Sequence, residues 1–219
     1  MPLRYTDLSR PLEETTPVYP DYPLFTVRIL ETASEFSVGG QRALNSSHVA
    51  MGMHCGTHMD APFHFFPNGK SIDQVPIEQC TGNALLLHLR DLPPNGRIEK
   101  SDLKPYETLL CEYGKVIVNT GWSRFWKEAV YFLEHPAVTG EAAQFLVECG
   151  VHLVGVDTPS VDHPPFDAHL ALLGKGAVIL ENLTHLDQVS SEVFHLIALP
   201  LKLNQREASP VRAIAMEDV

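Results

Sequence analysis

Cysteine is scarce in this chain: there are four in 219 residues, Cys55, Cys80, Cys111 and Cys149, each far from the next. No C-x-x-C pair exists, which excludes a zinc ribbon or a thioredoxin-like motif. No apolar run approaches the roughly 18 residues that a membrane-spanning helix needs, so no membrane partner is expected. Positive charge is also short, with 16 Lys and Arg against 27 Asp and Glu and a net charge of −11 with histidine neutral. A field of that sign opposes nucleic acid or an anionic membrane as the main partner. G-x-S-x-G and P-loop patterns are missing, so a serine hydrolase or a nucleotide enzyme finds no support. The start, Met1-Pro2-Leu3-Arg4, has no apolar run behind its basic residue, and no signal peptide is expected. The resulting expectation is a cytoplasmic protein with reduced thiols.

What is present is an ordinary globular composition, 44% hydrophobic and 20% charged, without repeats or low-complexity linkers. A length of 219 residues suits one domain over 1–219. The first 70 or so residues are rich in Pro, Thr, Ser and Gly, with short β-prone runs at Phe25–Ile29 and Ser47–Met51. Ala84–Leu89 reads as a buried strand closed by the turn Pro93-Pro94-Asn95-Gly96. Helices and strands then alternate. Ser101 is placed to cap a helix to about Cys111, followed by a strand at Lys115–Asn119. Thr139 caps a second helix that Gly150 stops, and Val151–Val156 follows as a buried strand. A short helix from about Phe166 to Leu173, strands at Ala177–Leu180, Phe194–Leu199 and Val211–Met216 complete the pattern. The fold class is α/β, a single domain with a mixed sheet.

Eleven histidines is a high number, and three of them fall within His54-Cys55-Gly56-Thr57-His58-Met59-Asp60-Ala61-Pro62-Phe63-His64. A lone histidine such as His88, His135, His152 or His195 carries no geometry and is read as an ordinary hydrogen-bonded residue. The cluster is different. On a helix His54 and His58 would share a face, but Asp60 would point away from them. On one strand His54, His58, Asp60 and His64 would share a face, yet their ends would lie ~33 Å apart at ~3.3 Å per residue. A compact loop converges them, and Gly56 and Pro62 are residues that such a loop requires. Imidazoles with a carboxylate suit Zn²⁺, Mn²⁺ or Fe²⁺ rather than Ca²⁺ or Cu(I).

The pattern H-x-G-T-H-x-D-x-P-x-H resembles the cyclase family of metal-dependent hydrolases, which includes bacterial kynurenine formamidase and isatin hydrolase. The likeness continues through Asp7-Leu8-Ser9, Thr16-Pro17-Val18-Tyr19-Pro20, Asn119-Thr120-Gly121-Trp122-Ser123, Gly155-Val156-Asp157-Thr158-Pro159-Ser160, and His169 through Glu181-Asn182. The resemblance implies a swivelling β/β/α fold and a divalent metal, zinc first and manganese second. It places that metal on His54, His58, Asp60 and Glu181. A second ion in some members would share Asp60 and Glu181 and add His169, because a carboxylate has two oxygens for two cations. His64 falls where the family has its general acid/base. A small-molecule substrate and a homo-oligomer, dimer or tetramer, follow from the same likeness. His163 is a rival to His169, but the interval from His169 to Glu181 is the family's. Two departures bear on substrate. Formamidases carry a Trp where this chain has Tyr19, the candidate substrate-binding residue, and the Thr-Gly-Trp-Ser block is closer to uncharacterised members. Cys55 occupies a variable position of the motif and is read as a small packing residue.

The implied chemistry is hydrolysis of an amide, with an arylformamide or a cyclic amide or lactone as substrate. A metal site that merely holds a loop is the competing class. His64 separates the two, since a closed structural site has no use for an extra base beside it. The aromatic residues Phe63, Phe65, Phe66, Trp122 and Trp126 are read as core, with a lining role for a pocket as the alternative.

Overall fold

The computed structural model describes residues 2–32 and 44–218. Its strands are β1 (Leu3–Asp7), β2 (Thr26–Glu31), β3 (Ser46–Ala50), β4 (His58–Asp60), β5 (Thr81–His88), β6 (Arg97–Ile98), β7 (Lys115–Asn119), β8 (Ala137–Val138), β9 (Leu153–Val156), β10 (Val178–Glu181), β11 (Val193–Ile197), β12 (Ala208–Pro210) and β13 (Ile214–Asp218). The helices are α1 (Ile77–Cys80), α2 (Lys100–Leu103), α3 (Glu107–Tyr113), α4 (Val130–Leu133), α5 (Gly140–Glu148) and α6 (Asp167–Leu173). Among the described residues, none of these helices is long and apolar enough to cross a membrane.

The unbroken apolar runs of the sequence become the centre of one mixed sheet, ordered β1-β13-β11-β5-β7-β9-β10-β4-β12. β5, β7, β9 and β10 are parallel, and antiparallel strands flank them on both sides. Parallel strands must be covered on both faces, which is why they read as continuous rather than alternating hydrophobic runs. On one face Leu85, Val116, Val154 and Ile179 pack against α3, α5 and α6. On the other, Leu86, Ile117 and Leu180 meet Met59 of β4 and Leu196 of β11. Strands from distant places in the order therefore enclose one cluster, and the sheet curls around it.

Local chemistry sets the ends of these elements. The Thr139 hydroxyl accepts from the Ala142 N–H, and Gly150 past the end of α5 has φ +78, the left-handed geometry of a helix stop. The single helix expected from Ser101 to Cys111 is instead two. Glu99, not Ser101, caps α2 through a reciprocal pair with Asp102, and Pro105 splits the segment into α2, a 3-10 turn and α3. Proline at that point removes a backbone donor, so the α-helical ladder cannot run through it.

β2 and β3 stand apart as an antiparallel ribbon. Every residue of β2 is exposed, Ile29 to 70%. The ribbon leaves the body just after Tyr22 and returns just before His54.

Candidate active site

The histidine-rich segment is not a loop throughout, as the sequence suggested. A turn, a three-residue strand and a 3-10 turn follow one another. Gly56 makes the turn at φ +64, a left-handed backbone conformation that favours glycine. β4 then pairs with β10, setting His58 opposite Glu181 and Asp60 opposite Ile179. Alternation along β4 sends Met59 into the core and leaves His58 and Asp60 on the same face. Pro62 opens the 3-10 turn Pro62–His64, which swings His64 back until its ring centre is 4.3 Å from that of His54. The helix α6, reached through the 157–166 loop, brings in His169.

These elements gather five groups within a few ångströms. His54 Nδ1 is 2.8 Å and His58 Nε2 3.4 Å from Asp60 Oδ1. His58 Nε2 is 3.3 Å from Glu181 Oε2. His169 Nε2 is 3.8 Å from Asp60 Oδ2 and 3.6 Å from Glu181 Oε1. His58, Asp60, His169 and Glu181 are all buried.

A divalent cation fits this donor set, and the orphaned atoms are the test. Among the described residues, buried His58 Nε2 and Asp60 Oδ1 have no hydrogen-bond partner. Leaving such atoms unpaired costs about 1–3 kcal/mol each, more for a charged group, unless something else satisfies them. Two sets of three residues bring ligand atoms within 4.8 Å of one another: His58, Asp60 and Glu181, and His54, Asp60 and His64. The orientation of the rings agrees. His58 Nδ1 lies 2.9 Å from the Gly56 carbonyl, which only accepts, so a neutral His58 carries its proton there and turns a lone pair inward. His169 Nδ1 is held in the same way by Asp162 Oδ1 at 2.5 Å. Phe65 stacks on the His169 ring at 4.8 Å.

The protonation pattern has the same origin. Burial works against a charge on His58, but Asp60 and Glu181 outweigh it and push its pKa up to about 9. Burial likewise opposes a charge on His169, and Asp162 and Asp60 raise it to about 10. Asp60 is held well below the ordinary carboxylate range by His54 and His58 despite its burial. The cage thus attracts positive charge strongly. His64 behaves oppositely: burial, with the neighbouring histidines, takes it down to about 4 in spite of Asp60. It is uncharged at neutral pH.

Over this cage lies a cavity of about 440 Å³ whose walls include Tyr19, Tyr22, Phe65, Ser160, His163 and Phe166. Phe65, which follows the motif directly, thus reaches the cavity, whereas Trp122 and Trp126 pack with Tyr131 in a separate cluster. His163 lines the wall but belongs to neither group of ligand atoms; its ring stacks on His135 and its Nε2 lies 2.9 Å from the His135 carbonyl. Cys55 is buried, its thiol pushed up by that burial, and is likewise in neither group. Sequence reasoning missed Asp162. Asp162 directly precedes His163, and a lone loop carboxylate carries no spacing that marks it as the partner of the His169 ring.

Known proteins resemble this chain in sequence and in fold. A profile of the family described as a putative cyclase matches residues 6–163. Kynurenine formamidase from Bacillus thuringiensis subsp. konkukian (strain 97-27) is 33% identical over 217 residues, covering 96% of each chain. Kynurenine formamidase from Paracidovorax citrulli (strain AAC00-1) is 33% identical over 223 residues, covering 95% of this chain and 94% of its own. Among solved structures, isatin hydrolase A from Labrenzia aggregata bound to benzyl benzoate superposes with a TM-score of 0.80 at 27% identity, over 98% of this chain and 93% of that one. An isatin hydrolase bound to the product analogue thioisatinate shares the fold, with a TM-score of 0.82 over 99% of this chain and 93% of that one at 24% identity.

Proposed function

Because this chain belongs to the cyclase family, we propose that it is a metal-dependent hydrolase cleaving a non-peptide C–N bond of a small aromatic amide. Arylformamides come first, and cyclic amides or lactones second. The observation that carries the reading is the convergence of five ligand-type side chains on two unpartnered buried atoms beneath an aromatic-walled cavity. His54, His58, Asp60 and Glu181 would hold one divalent ion, and His169 with the two carboxylates a second. Zinc suits imidazole and carboxylate best, with manganese next.

When bound, the cation lowers the pKa of water toward ~7 and polarises the carbonyl oxygen. The chain's own groups do the rest. His64, neutral at pH 7, takes a proton from the attacking water and returns it to the departing nitrogen, so an acid and an amine leave. Phe65 and Phe166 exclude water from the His169 side and provide apolar surface for an aryl group. The nearness of His64 to His54 and Asp60 favours a second assignment in which His64 is itself a ligand.

A homo-oligomer accords with the exposed β2–β3 ribbon, since a two-stranded ribbon is marginal alone in water. A cytoplasmic setting accords with four free thiols. The deciding experiment loads the protein with zinc or manganese, measures metal by elemental analysis, and screens arylformamides, isatins and lactones. Bound metal with chelator-sensitive turnover is the expected result; a chain that binds no divalent metal refutes the reading.

A further inference from the structure

Asn182 follows Glu181 at the end of β10, and each of its four polar groups has a partner. Its N–H donates to the Thr158 carbonyl at 2.9 Å, and its own carbonyl accepts from the Thr57 hydroxyl at 2.8 Å. Its φ is +60, a left-handed conformation in which asparagine is enriched. The side chain is buried, and its Nδ2 donates at 2.9 Å to the Gly56 carbonyl, 126 residues away in the chain. That carbonyl is also the one that faces His58 Nδ1, again at 2.9 Å. A carbonyl oxygen has two lone pairs and donates nothing, so it takes both protons. The two nitrogens are 3.4 Å apart, donors that meet on one oxygen instead of bonding to each other.

Tyr131 keeps the amide the right way round. Its ring is buried edge-on to Trp126 and Phe132, and its hydroxyl lies 2.9 Å from Asn182 Oδ1. With Nδ2 committed to the Gly56 carbonyl, Oδ1 faces Tyr131, whose hydroxyl therefore donates. One line of hydrogen bonds thus joins Tyr131, Asn182, the Gly56 carbonyl and the His58 ring. We infer that Asn182, oriented by Tyr131, is a positioning residue for the metal site. It holds the Gly56 carbonyl against His58 Nδ1, so that Nε2 turns its lone pair toward the cation. Because Asn182 directly follows Glu181, the same side chain ties the end of β10 to the turn that carries His54 and His58. The assignment rests on the metal-dependent reading above, but on its metal alone and not on which bond is cleaved.

The test measures zinc affinity in the full chain, by competition against a fluorescent chelator, for the parent, Asn182→Gly and Tyr131→Phe. Glycine keeps the left-handed backbone and removes only the amide. Asn182→Gly should bind zinc ~10–100-fold more weakly, the usual cost of losing a hydrogen bond that orients a ligand. Tyr131→Phe should weaken binding by less, but by at least ~3-fold. The double variant should match Asn182→Gly within about twofold, because the hydroxyl acts through the amide. The visible spectrum of the cobalt(II)-loaded chain, which follows ligand geometry, should change in Asn182→Gly. A residue that only supports folding behaves differently: the metal-free variants lose Tm, yet zinc affinity stays within about twofold and the cobalt spectrum is unaltered. That result overturns the assignment, as does a Tyr131→Phe loss that adds in full to that of Asn182→Gly. If Asn182→Gly does not fold, Tyr131→Phe decides on the same two readouts. A parent that binds zinc but turns over no amide or lactone ends the hydrolase reading and leaves these comparisons intact; a parent that binds neither metal overturns both.

Discussion

Replacing Asp162 by asparagine tests how the cage is held, because the change keeps shape and removes one charge. Asp162 does two jobs with its two oxygens. Oδ2 accepts from the Ala168 N–H at 2.7 Å and the His169 N–H at 3.2 Å, anchoring the start of α6. Oδ1 takes the proton on His169 Nδ1. An asparagine has a single oxygen to give. If it stays on the two backbone donors, the amide NH₂ faces His169 Nδ1, which must then accept. The ring proton moves to Nε2, and a proton instead of a lone pair points at Asp60 and Glu181. Loss of such an outer hydrogen bond costs ~10–100-fold in metal affinity, equivalent to about 1.4–2.7 kcal/mol. The missing negative charge beside a cation site pushes toward the upper end. Competition against a fluorescent chelator measures this directly, with circular dichroism to verify the fold. If two ions bind, the weakening should fall on one of them. A variant whose affinity for every bound ion stays within twofold of the parent would refute the orienting role.

Three further outcomes are expected. His64→Asn should retain its metal and lose ~10²–10⁴-fold in kcat, as removal of a general acid/base does; loss of stoichiometric metal in the same variant would instead make His64 a ligand. Glu217, far from the site on β13, receives the Ser190 and Ser191 amides and the Arg4 guanidinium, which overcome its burial and hold it at about 2 rather than 4.5. A carboxylate whose folded pKa is depressed stabilises above its unfolded value, so Glu217→Gln should cost up to ~3 kcal/mol at pH 7. Urea unfolding at a series of pH values should show that gap closing between about 4.5 and about 2, and a gap independent of pH would contradict the cause given. Light scattering should give a mass above that of one chain, and Ile29→Lys on the exposed ribbon should shift it toward the monomer; an unchanged monomer in the parent would leave the ribbon without the proposed partner.

Legibility from sequence followed the range of the forces involved. The strand at Lys115–Asn119, the Thr139 cap and the Gly150 stop depend on neighbours within a few residues, and the structure has each of them. β4 and β12, three residues apiece, are too short to show a period; β10 holds β4 in the sheet and β4 holds β12, each from more than 100 residues away in the chain. Pro105 lies inside the single helix expected from Ser101 to about Cys111, and its missing backbone donor divides that segment in two. The motif residues are close together in space because a turn, a strand and a 3-10 turn follow in sequence, a combination that no single periodicity describes. Asp162 was not legible because a carboxylate that orients an imidazole leaves no spacing signature; only the pairing of a loop with a helix start reveals it.

The register of β4 also governs how this protein is free to vary over generations. His58 lies opposite Glu181 and Asp60 opposite Ile179, and side chains alternate along the strand. One residue gained or lost between Gly56 and Asp60 would exchange the two faces, turning Met59 toward the cage and burying His58 and Asp60 among Leu180 and Ile117. Length change within this stretch is therefore lethal to the chemistry even where every ligand survives. Along the β2–β3 ribbon the same event alters only how far an arm extends. Descendants of this chain should accumulate insertions and deletions in the ribbon and almost none from residue 54 to residue 64, so the two ends of one short segment live under opposite evolutionary rules.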